Sequence, residues 1–185
     1  MNTDKVLSIS AIMIALAAVG VSIWQSVEIR KHNRFSLAPY IVVAPGLTGL
    51  DGKNGVFVEN NGTGSAFIIN AEIVANGKVF DLTKNSWPQI YKHLNIKPLC
   101  HSESWFPKGS VLKAGMEHQL IGPTKSAEKP TCRIEFVKLL SANKLQLNLE
   151  YQSIYEEEFQ YQQRIGLDPQ EIKTYKQLLK IESTQ

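Results

Sequence analysis

The chain has 185 residues, of which 43% are hydrophobic, with a formal net charge of +3 and two cysteines. After one N-terminal apolar stretch, the remaining length suits a single domain. The charge is weak and partly lies beside that stretch, and no basic stripe with interleaved aromatic residues follows, so the sequence predicts no nucleic-acid partner.

The first element is the stretch from Val6 to Trp24, which contains no charged residue. A helix of about 20 apolar residues crosses ~30 Å of hydrocarbon, and an aromatic residue such as Trp24 is typical of the membrane interface. A cleaved signal peptide needs a shorter apolar core and a more basic start than Lys5 provides. A buried helix is the third interpretation, but a helix apolar all round in so short a chain favours a span. We therefore predict an uncleaved transmembrane helix that contacts the lipid bilayer.

A basic cluster, Arg30, Lys31 and Arg34, follows the apolar stretch, whereas Lys5 alone precedes it. Basic residues favour the cytoplasmic side of a membrane helix, so this balance predicts that the main domain lies in the cytoplasm. The cluster itself is typical of a segment attracted to anionic lipid headgroups.

Small residues recur within the span at spacings of three and four: Ser8, Ala11, Ala15, Ala18 and Ser22. This spacing places them on one helical face, where small side chains let two membrane helices approach closely. The pattern indicates a possible homo-oligomer through the transmembrane helix. The alternative is that this face meets lipid.

The segment after Ala38-Pro39 is dominated by predicted strands. A β-branched run bounded by prolines (Pro39 to Pro45) suits a first or edge strand, and a short strand follows at Val56 to Glu59. Phe67 to Ala75 alternates with period two, and Asn76-Gly77 before Val79-Phe80 predicts a hairpin with a type I′ turn.

The middle of the chain is more mixed. Ser86 to Leu94 is predicted as a helix, with Ser86 and Gln89 as a capping box and a single apolar face. Short strands are expected around Trp105-Phe106 and at Glu117 to Ile121. Thr131 to Leu140 fits either a strand or a helix, and we favour the helix.

The clearest strand is Leu145 to Gln152, which places Leu145, Leu147, Leu149 and Tyr151 on one face. It is expected to pair antiparallel with the strand that contains Phe159 and Tyr161. Asp168 as N-cap before Pro169 then predicts a C-terminal amphipathic helix.

These elements predict a mainly β protein: an N-terminal transmembrane helix and an antiparallel immunoglobulin-like β-sandwich with short appended helices. The expected parts are an anchor and juxtamembrane helix at 1–34, a β-sandwich domain at 35–166 and the C-terminal helix at 167–185.

Candidate reactive groups are sparse. The glycine-rich segment from Asn60 to Gly64 lacks the Lys-Ser/Thr and the following helix of a phosphate loop, so its glycines are expected to supply positive φ in a turn. The spacing of the candidate metal ligands matches no paired zinc motif, which predicts loop and core positions for His93, Cys100, His101 and Cys132. The glutamates near the last strands lack EF-hand spacing and indicate a solvated turn: Glu150, Glu156, Glu157 and Glu158.

Cys100 and Cys132 are the only cysteines. They would form a disulfide in an exported domain and remain two thiols in the cytosol, and the even count does not distinguish these states.

Two blocks of the sequence resemble a group of small bacterial and phage-encoded single-span membrane proteins. The pattern R-x-H-N-R-x-S-x-x-P stands at Arg30 to Pro39, and N-N-G-x-G-x-A stands at Asn60 to Ala66, with Ser65 where the group has proline. The resemblance extends to the region of Ala75. It implies a protein anchored in the bacterial inner membrane and carries over no catalytic residue.

The sequence therefore predicts a non-enzymatic module, with no catalytic, cofactor-binding or metal-ligating residue, that binds another protein. Trp105, Phe106 and the C-terminal helix are the first candidates for its binding surface. A self-associating structural component of the membrane is the alternative, and an enzyme or metal site near Cys100 and His101 is the third hypothesis.

Overall fold

The computed structural model describes residues 3–46, 55–97, 100–124, 132, 135–137, 139–140, 145–166, 170 and 173. It forms two compact units, Met1–Ala38 and Pro39–Gln185. The first unit is a helix and the second is built mainly from strands.

Helix α1 runs from Thr3 to Ser36. No proline interrupts it, and it ends just before Ala38-Pro39, because the residue preceding a proline disfavours helical geometry. Its 34 residues include the uncharged stretch from Val6 to Trp24, and none of them is buried within the structure. At a rise of ~1.5 Å per residue the helix is longer than the ~30 Å hydrocarbon core of a bilayer. The α1 helix is thus long and apolar enough to cross a membrane, as the sequence predicted.

Among its described residues, the second unit has nine strands and the helix α2, besides helical residues at 132, 135–137, 139–140, 170 and 173. In chain order the bounds are β1 Ile41–Gly46, β2 Gly55–Asn60, β3 Ala66–Ala75, β4 Lys78–Asp81, α2 Trp87–Leu94, β5 His101–Glu103, β6 Val111–Leu112, β7 Glu117–Pro123, β8 Leu145–Gln152 and β9 Glu158–Ile165. Sheet A has the strand order β1-β2-β7-β5, and sheet B has the order β4-β3-β8-β9, with β6 also paired to β3. Every pairing is antiparallel. The mainly β prediction with an N-terminal apolar helix is therefore confirmed.

The core lies between the two sheets and is supplied by the inward-facing residue of each strand. In β8, Leu145, Leu147, Leu149 and Tyr151 are buried and alternate with more exposed polar residues, as predicted. This alternation follows because successive side chains of a strand point to opposite faces. Residues 136, 137, 139 and 140, which lie in the predicted helix at Thr131 to Leu140, join the same core, and the described residues of that segment are helical.

The hairpin between β3 and β4 has the predicted turn. Asn76 and Gly77 both have positive φ, 48° and 85°, as a type I′ turn requires. Helix α2 also forms at its predicted position, but the expected capping box does not. The Ser86 hydroxyl donates to the Asp81 carbonyl instead, while the Asn85 side chain accepts from the Trp87 N–H at 3.2 Å.

Two further local predictions were wrong. Trp105 and Phe106 are not in a strand but lie in the connection between β5 and β6. Phe106 is buried, and its N–H donates to the Leu82 carbonyl. Gly62 and Gly64 are not among the glycines with positive φ. Both errors have one cause. Each segment connects a strand of one sheet to a strand of the other, and its conformation is set by hydrogen bonds to distant residues rather than by its local sequence pattern. The predicted start of the C-terminal helix, at Asp168, lies outside the described residues.

The outer edge of β1 is closed by tyrosine side chains. The Asn61 N–H bonds to the Tyr40 carbonyl, so in the β1–β2 register Ile41, Val43 and Pro45 direct their amides away from β2. The Val43 N–H donates to the Tyr161 hydroxyl of β9 at 2.9 Å. The Ile41 amide faces the Tyr151 hydroxyl, and Pro45 has no N–H to expose.

Candidate functional site

The predicted packing face of the span remains an exposed stripe of small side chains. Ser8 and Ser22 satisfy their hydroxyls within α1, by donating to the carbonyls of Asp4 and Ala18, both at 2.8 Å. Such internal bonding suits a helix in hydrocarbon, where no water is available. The face therefore offers another helix close van der Waals contact through Ala11, Ala15 and Ala18. Val6, Trp24 and the basic residues Arg30, Lys31 and Arg34 are likewise exposed along α1.

The two cysteines form a disulfide. The Cys100 and Cys132 Cα atoms are 5.0 Å apart, and the bond joins the start of β5 to the helical segment that contains Phe136. Both sulfurs are therefore occupied and neither is available as a nucleophile or a metal ligand in this state.

His101, which follows Cys100, is 5% exposed and lies between aromatic rings. Its ring is 5.5 Å from Tyr91 and 5.9 Å from Phe136, measured between centroids. Among the described residues neither ring nitrogen makes a hydrogen bond of ordinary geometry. Burial lowers the pKa of His101, and the nearby Lys97 carbonyl and Glu135 carboxylate only partly oppose this. His101 is thus held as a neutral ring of the core.

The residues around His101 are tied by structural bonds. The Tyr91 hydroxyl donates to the Glu103 carboxylate at 3.4 Å, and the Trp87 indole N–H donates to the Ser104 carbonyl at 2.7 Å. Burial raises the pKa of Tyr91 well above its ordinary value. The residues that the third hypothesis grouped at Cys100 and His101 therefore pack the core around α2.

A serine and a histidine that the sequence analysis did not single out lie in contact. The Ser104 hydroxyl is 2.8 Å from Nε2 of His118. However, the hydroxyl donates its proton to the Gln119 carbonyl, whereas a nucleophilic serine donates to the imidazole that activates it. Burial lowers the pKa of His118, whose ring is 4.8 Å from that of Phe106. The pair holds the segment after β5 against β7.

The acidic residues do not converge. Glu150 and Glu158 lie on the solvent face of β8 and β9, whereas Glu156 and Glu157 lie in the turn between these strands. Among the described residues no three His, Cys, Asp or Glu side chains are placed to hold a metal ion. The turn itself is organised by the buried Ser153, whose hydroxyl accepts from the Tyr155 N–H at 3.1 Å.

Asn60 ties the loops together at the end of the second unit where the chain enters β1. It is fully buried, and its amide donates to the carbonyls of Gly64 and Leu112 at 2.8 and 2.9 Å. Its side-chain oxygen accepts from the Tyr40 and Gly62 amides, both at 3.1 Å. Every donor of this side chain is used, so Asn60 holds β1, the 61–65 loop and β6 in one arrangement.

Exposed apolar side chains collect at the same end. At the start of β3, Phe67 pairs with Val111 of β6 on one side and with Gln152 of β8 on the other. Gln152 is the last residue of β8, so the β8–β9 turn lies at the same end of sheet B as β6. Asn60 links this end of sheet B to Tyr40 and, through its main chain, to Met116. We name the resulting set the entry-end surface: Tyr40 (64% exposed), Val111, Met116, Ile154 (63% exposed) and Tyr155. The other exposed large apolar side chains described beyond residue 38 are Val79 and Trp105.

The entry-end surface was missed from sequence because its members belong to separate turns and strand ends. Trp105, chosen from sequence, is 38% exposed, but Phe106 is buried and is removed from the candidate surface. The signal that was present is the apolar pair Ile154-Tyr155 within an otherwise polar turn. Of the predicted C-terminal helix, residues 170 and 173 are described, and both are helical and exposed.

Comparison of the chain with protein-family models, with curated proteins and with solved structures gave no match.

Proposed function

We propose that this chain is a single-span membrane protein whose β domain binds another protein through the entry-end surface, without catalysing a reaction. The observation that carries the proposal is that five exposed apolar side chains lie on strand ends and turns at one end of the domain: Tyr40, Val111, Met116, Ile154 and Tyr155. Clustered apolar side chains on an otherwise polar domain mark an interaction surface rather than chance exposure. The rigid support that Asn60 gives to these loops suits a preformed site.

Binding is favoured over catalysis by the use that the structure makes of its reactive side chains. The thiols of Cys100 and Cys132 are bonded to each other, the Ser104 proton is directed at a carbonyl, and His101 is buried between rings. An active site needs such groups to converge on an open space with free proton donors and acceptors.

The disulfide also bears on the side of the membrane. Disulfides persist in oxidising compartments and are rare in the cytosol, so Cys100–Cys132 favours an exported domain. The basic cluster near the end of α1 favours the opposite orientation, but the difference in charge is small. Three basic residues follow the apolar stretch, and Lys5 with the α-amino group precedes it. We give the disulfide more weight and propose that the β domain lies outside the bacterial inner membrane.

The arrangement of strands supports an immunoglobulin-like fold as part of this proposal. In that fold, strands A, B, E and D form one sheet, and C, F and G form the other, with C′ added beside C in some members. Sheet A, in the order β1-β2-β7-β5, and sheet B, in the order β4-β3-β8-β9, correspond strand by strand to A-B-E-D and C′-C-F-G. Domains of this architecture commonly present loops at one end for binding.

The test is site-specific photo-crosslinking of the full-length chain in its own membrane. A photoreactive residue at Ile154 should give one crosslinked species of discrete mass, whereas the same residue at Asn148, on the solvent face of β8, should give none. A second substitution, Met116→Lys, should abolish the crosslink at 154. If Ile154 and Asn148 behave alike, the entry-end surface is not a binding site.

A second function, self-association of the span, is favoured by the exposed stripe of alanines on α1. Replacing Ala15 and Ala18 with leucine would keep the helix apolar while blocking close approach of two helices. Loss of dimers in detergent supports this function, and unchanged dimers exclude that face.

A further inference from the structure

Strand β9 forms one edge of sheet B, and none of the described strands pairs with its outer side. The Ser153 N–H bonds to the Glu157 carbonyl at 2.9 Å, which marks 153 and 157 as a hydrogen-bonded pair. Counted from that pair along the β8–β9 register, every second residue of β9 directs its backbone N–H and C=O toward β8. The remaining residues direct both backbone groups outward, where none of the described strands pairs with them: Glu158, Gln160, Gln162 and Arg164.

The other sheet edges are protected, which makes β9 exceptional among the described strands. β4 and β5 are only four and three residues long. The edge of β1 meets the Tyr161 and Tyr151 hydroxyls and contains Pro45, which has no N–H. In contrast, β9 has eight residues, contains neither proline nor glycine, and runs beside β8 without a register shift. A long regular edge with free backbone groups is a template for another strand.

The outward-facing residues of β9 are complementary to themselves. Glu158 stands near one end and Arg164 near the other; both are exposed, and neither belongs to an ion pair among the described residues. When two β9 strands run antiparallel about a two-fold axis at Tyr161, each Glu158 lies opposite Arg164 of the second copy. In the same register each Gln160 lies opposite Gln162 of the second copy. A two-fold interface of this kind uses one patch on both subunits.

We propose that a second copy of this chain pairs with β9 in this register and joins the two B sheets into one continuous sheet. Each of the four residue pairs exchanges two backbone hydrogen bonds, and both ends carry an ion pair on the solvent face. Sliding one strand by two residues removes both ion pairs, so the charges select the register. Pairing through β9 does not require a partner at the entry-end surface.

Gln162→Pro is the first test, because the Gln162 N–H points away from β8. Proline there removes hydrogen bonds to the second copy but none within the sheet. For the full-length chain in detergent micelles, sedimentation equilibrium should show the dimer Kd rising by roughly tenfold or more. The unfolding midpoint at low protein concentration, where the chain is monomeric, should stay unchanged.

Charge reversal supplies a test that leaves the backbone intact. Glu158→Arg alone, or Arg164→Glu alone, turns both attractive end pairs into repulsive ones and should raise the dimer Kd by roughly tenfold. The double variant restores opposite charges and should return the Kd close to that of the unchanged chain. Glu150→Arg, on the same face of β8 but one strand away from the edge, is the matched control and should leave the Kd unchanged.

The outcomes are decisive in either direction. Weakening by each single reversal with recovery in the double variant supports pairing through β9. A chain that stays monomeric, or a dimer that tolerates Gln162→Pro and both reversals, overturns it. A dimer lost only on replacing Ala15 and Ala18 with leucine also overturns it, since the span alone would then hold the copies together.

Discussion

Asn60 shows how one buried polar side chain can position several loops. A buried amide is costly unless its hydrogen bonds are made, and here the side chain bonds to four backbone groups that belong to three segments. The adjacent Asn61 has the same chemistry but an exposed side chain. Burial, not residue type, separates a structural asparagine from a solvated one.

Replacing Asn60 with alanine should lower the free energy of unfolding by about 2–4 kcal/mol, because buried amides and carbonyls lose their partner. Asn61→Ala, one residue away and exposed, should change it by less than about 0.5 kcal/mol. Urea denaturation of the full-length chain in micelles, followed by tryptophan fluorescence, measures both. Equal effects would show that the Asn60 bonds do not stabilise the domain.

The buried His101 should make stability depend on pH. Its pKa is lowered in the folded state by burial, so below the ordinary value of 6.5 the unfolded chain binds a proton that the folded chain does not. The contribution is therefore fully present above pH 6.5 and is lost as the pH falls toward the lowered folded-state pKa. His101→Phe should reduce the loss of stability between pH 8 and pH 5. An unchanged difference would mean that His101 does not protonate on unfolding.

At the scale of the element, β1 is shaped by what lies outside its own sheet. Its sequence predicts an edge strand. Of its outward amides, that of Val43 bonds to Tyr161 of the other sheet, and Pro45 has no amide hydrogen to expose. Burial raises the pKa of the Tyr161 hydroxyl, while the Val43 amide opposes this rise. The two sheets are thus joined at this edge by side-chain bonds as well as by core packing.

Tyr161→Phe should release the Val43 amide and leave the ladder intact. We expect a loss of about 1 kcal/mol in stability and faster hydrogen exchange at Val43. The Val42 amide, which points toward β2, is an internal control and should exchange at an unchanged rate. Tyr155→Phe, which changes an exposed tyrosine of the β8–β9 turn, should affect neither amide. Slow exchange at Val43 in Tyr161→Phe would contradict the proposed role of the hydroxyl.

At the scale of the whole molecule, the disulfide and the basic cluster make opposite predictions for orientation. If the domain is exported, treating spheroplasts with a membrane-impermeant reductant and then an impermeant maleimide should label Cys100 and Cys132. If the domain is cytoplasmic, labelling should appear only after lysis and should not need the reductant. A Cys100→Ser and Cys132→Ser chain controls for other reactive sites.

The sequence predicted α1, β8, α2 and the type I′ turn because each depends on a local pattern. The nineteen uncharged residues from Val6 to Trp24, the strict alternation from Leu145 and the Asn76-Gly77 pair leave few alternatives. It failed at Phe106 and at Gly62, which lie where the chain passes between sheets or around Asn60. At such positions the bonds come from distant residues, and no local pattern announces them.

The sequence by itself therefore determined the apolar helix, the mainly β domain and the shortage of reactive motifs, because length, periodicity and composition act through neighbours in the chain. Only the tertiary structure decided that Cys100 bonds to Cys132, that Asn60 bonds to three segments, and that exposed apolar side chains lie together in the entry-end surface. It also placed β9 at an edge of sheet B where none of the described strands pairs with its outer side. These features depend on which strands become neighbours, and that choice is made by the packing of two sheets around one core.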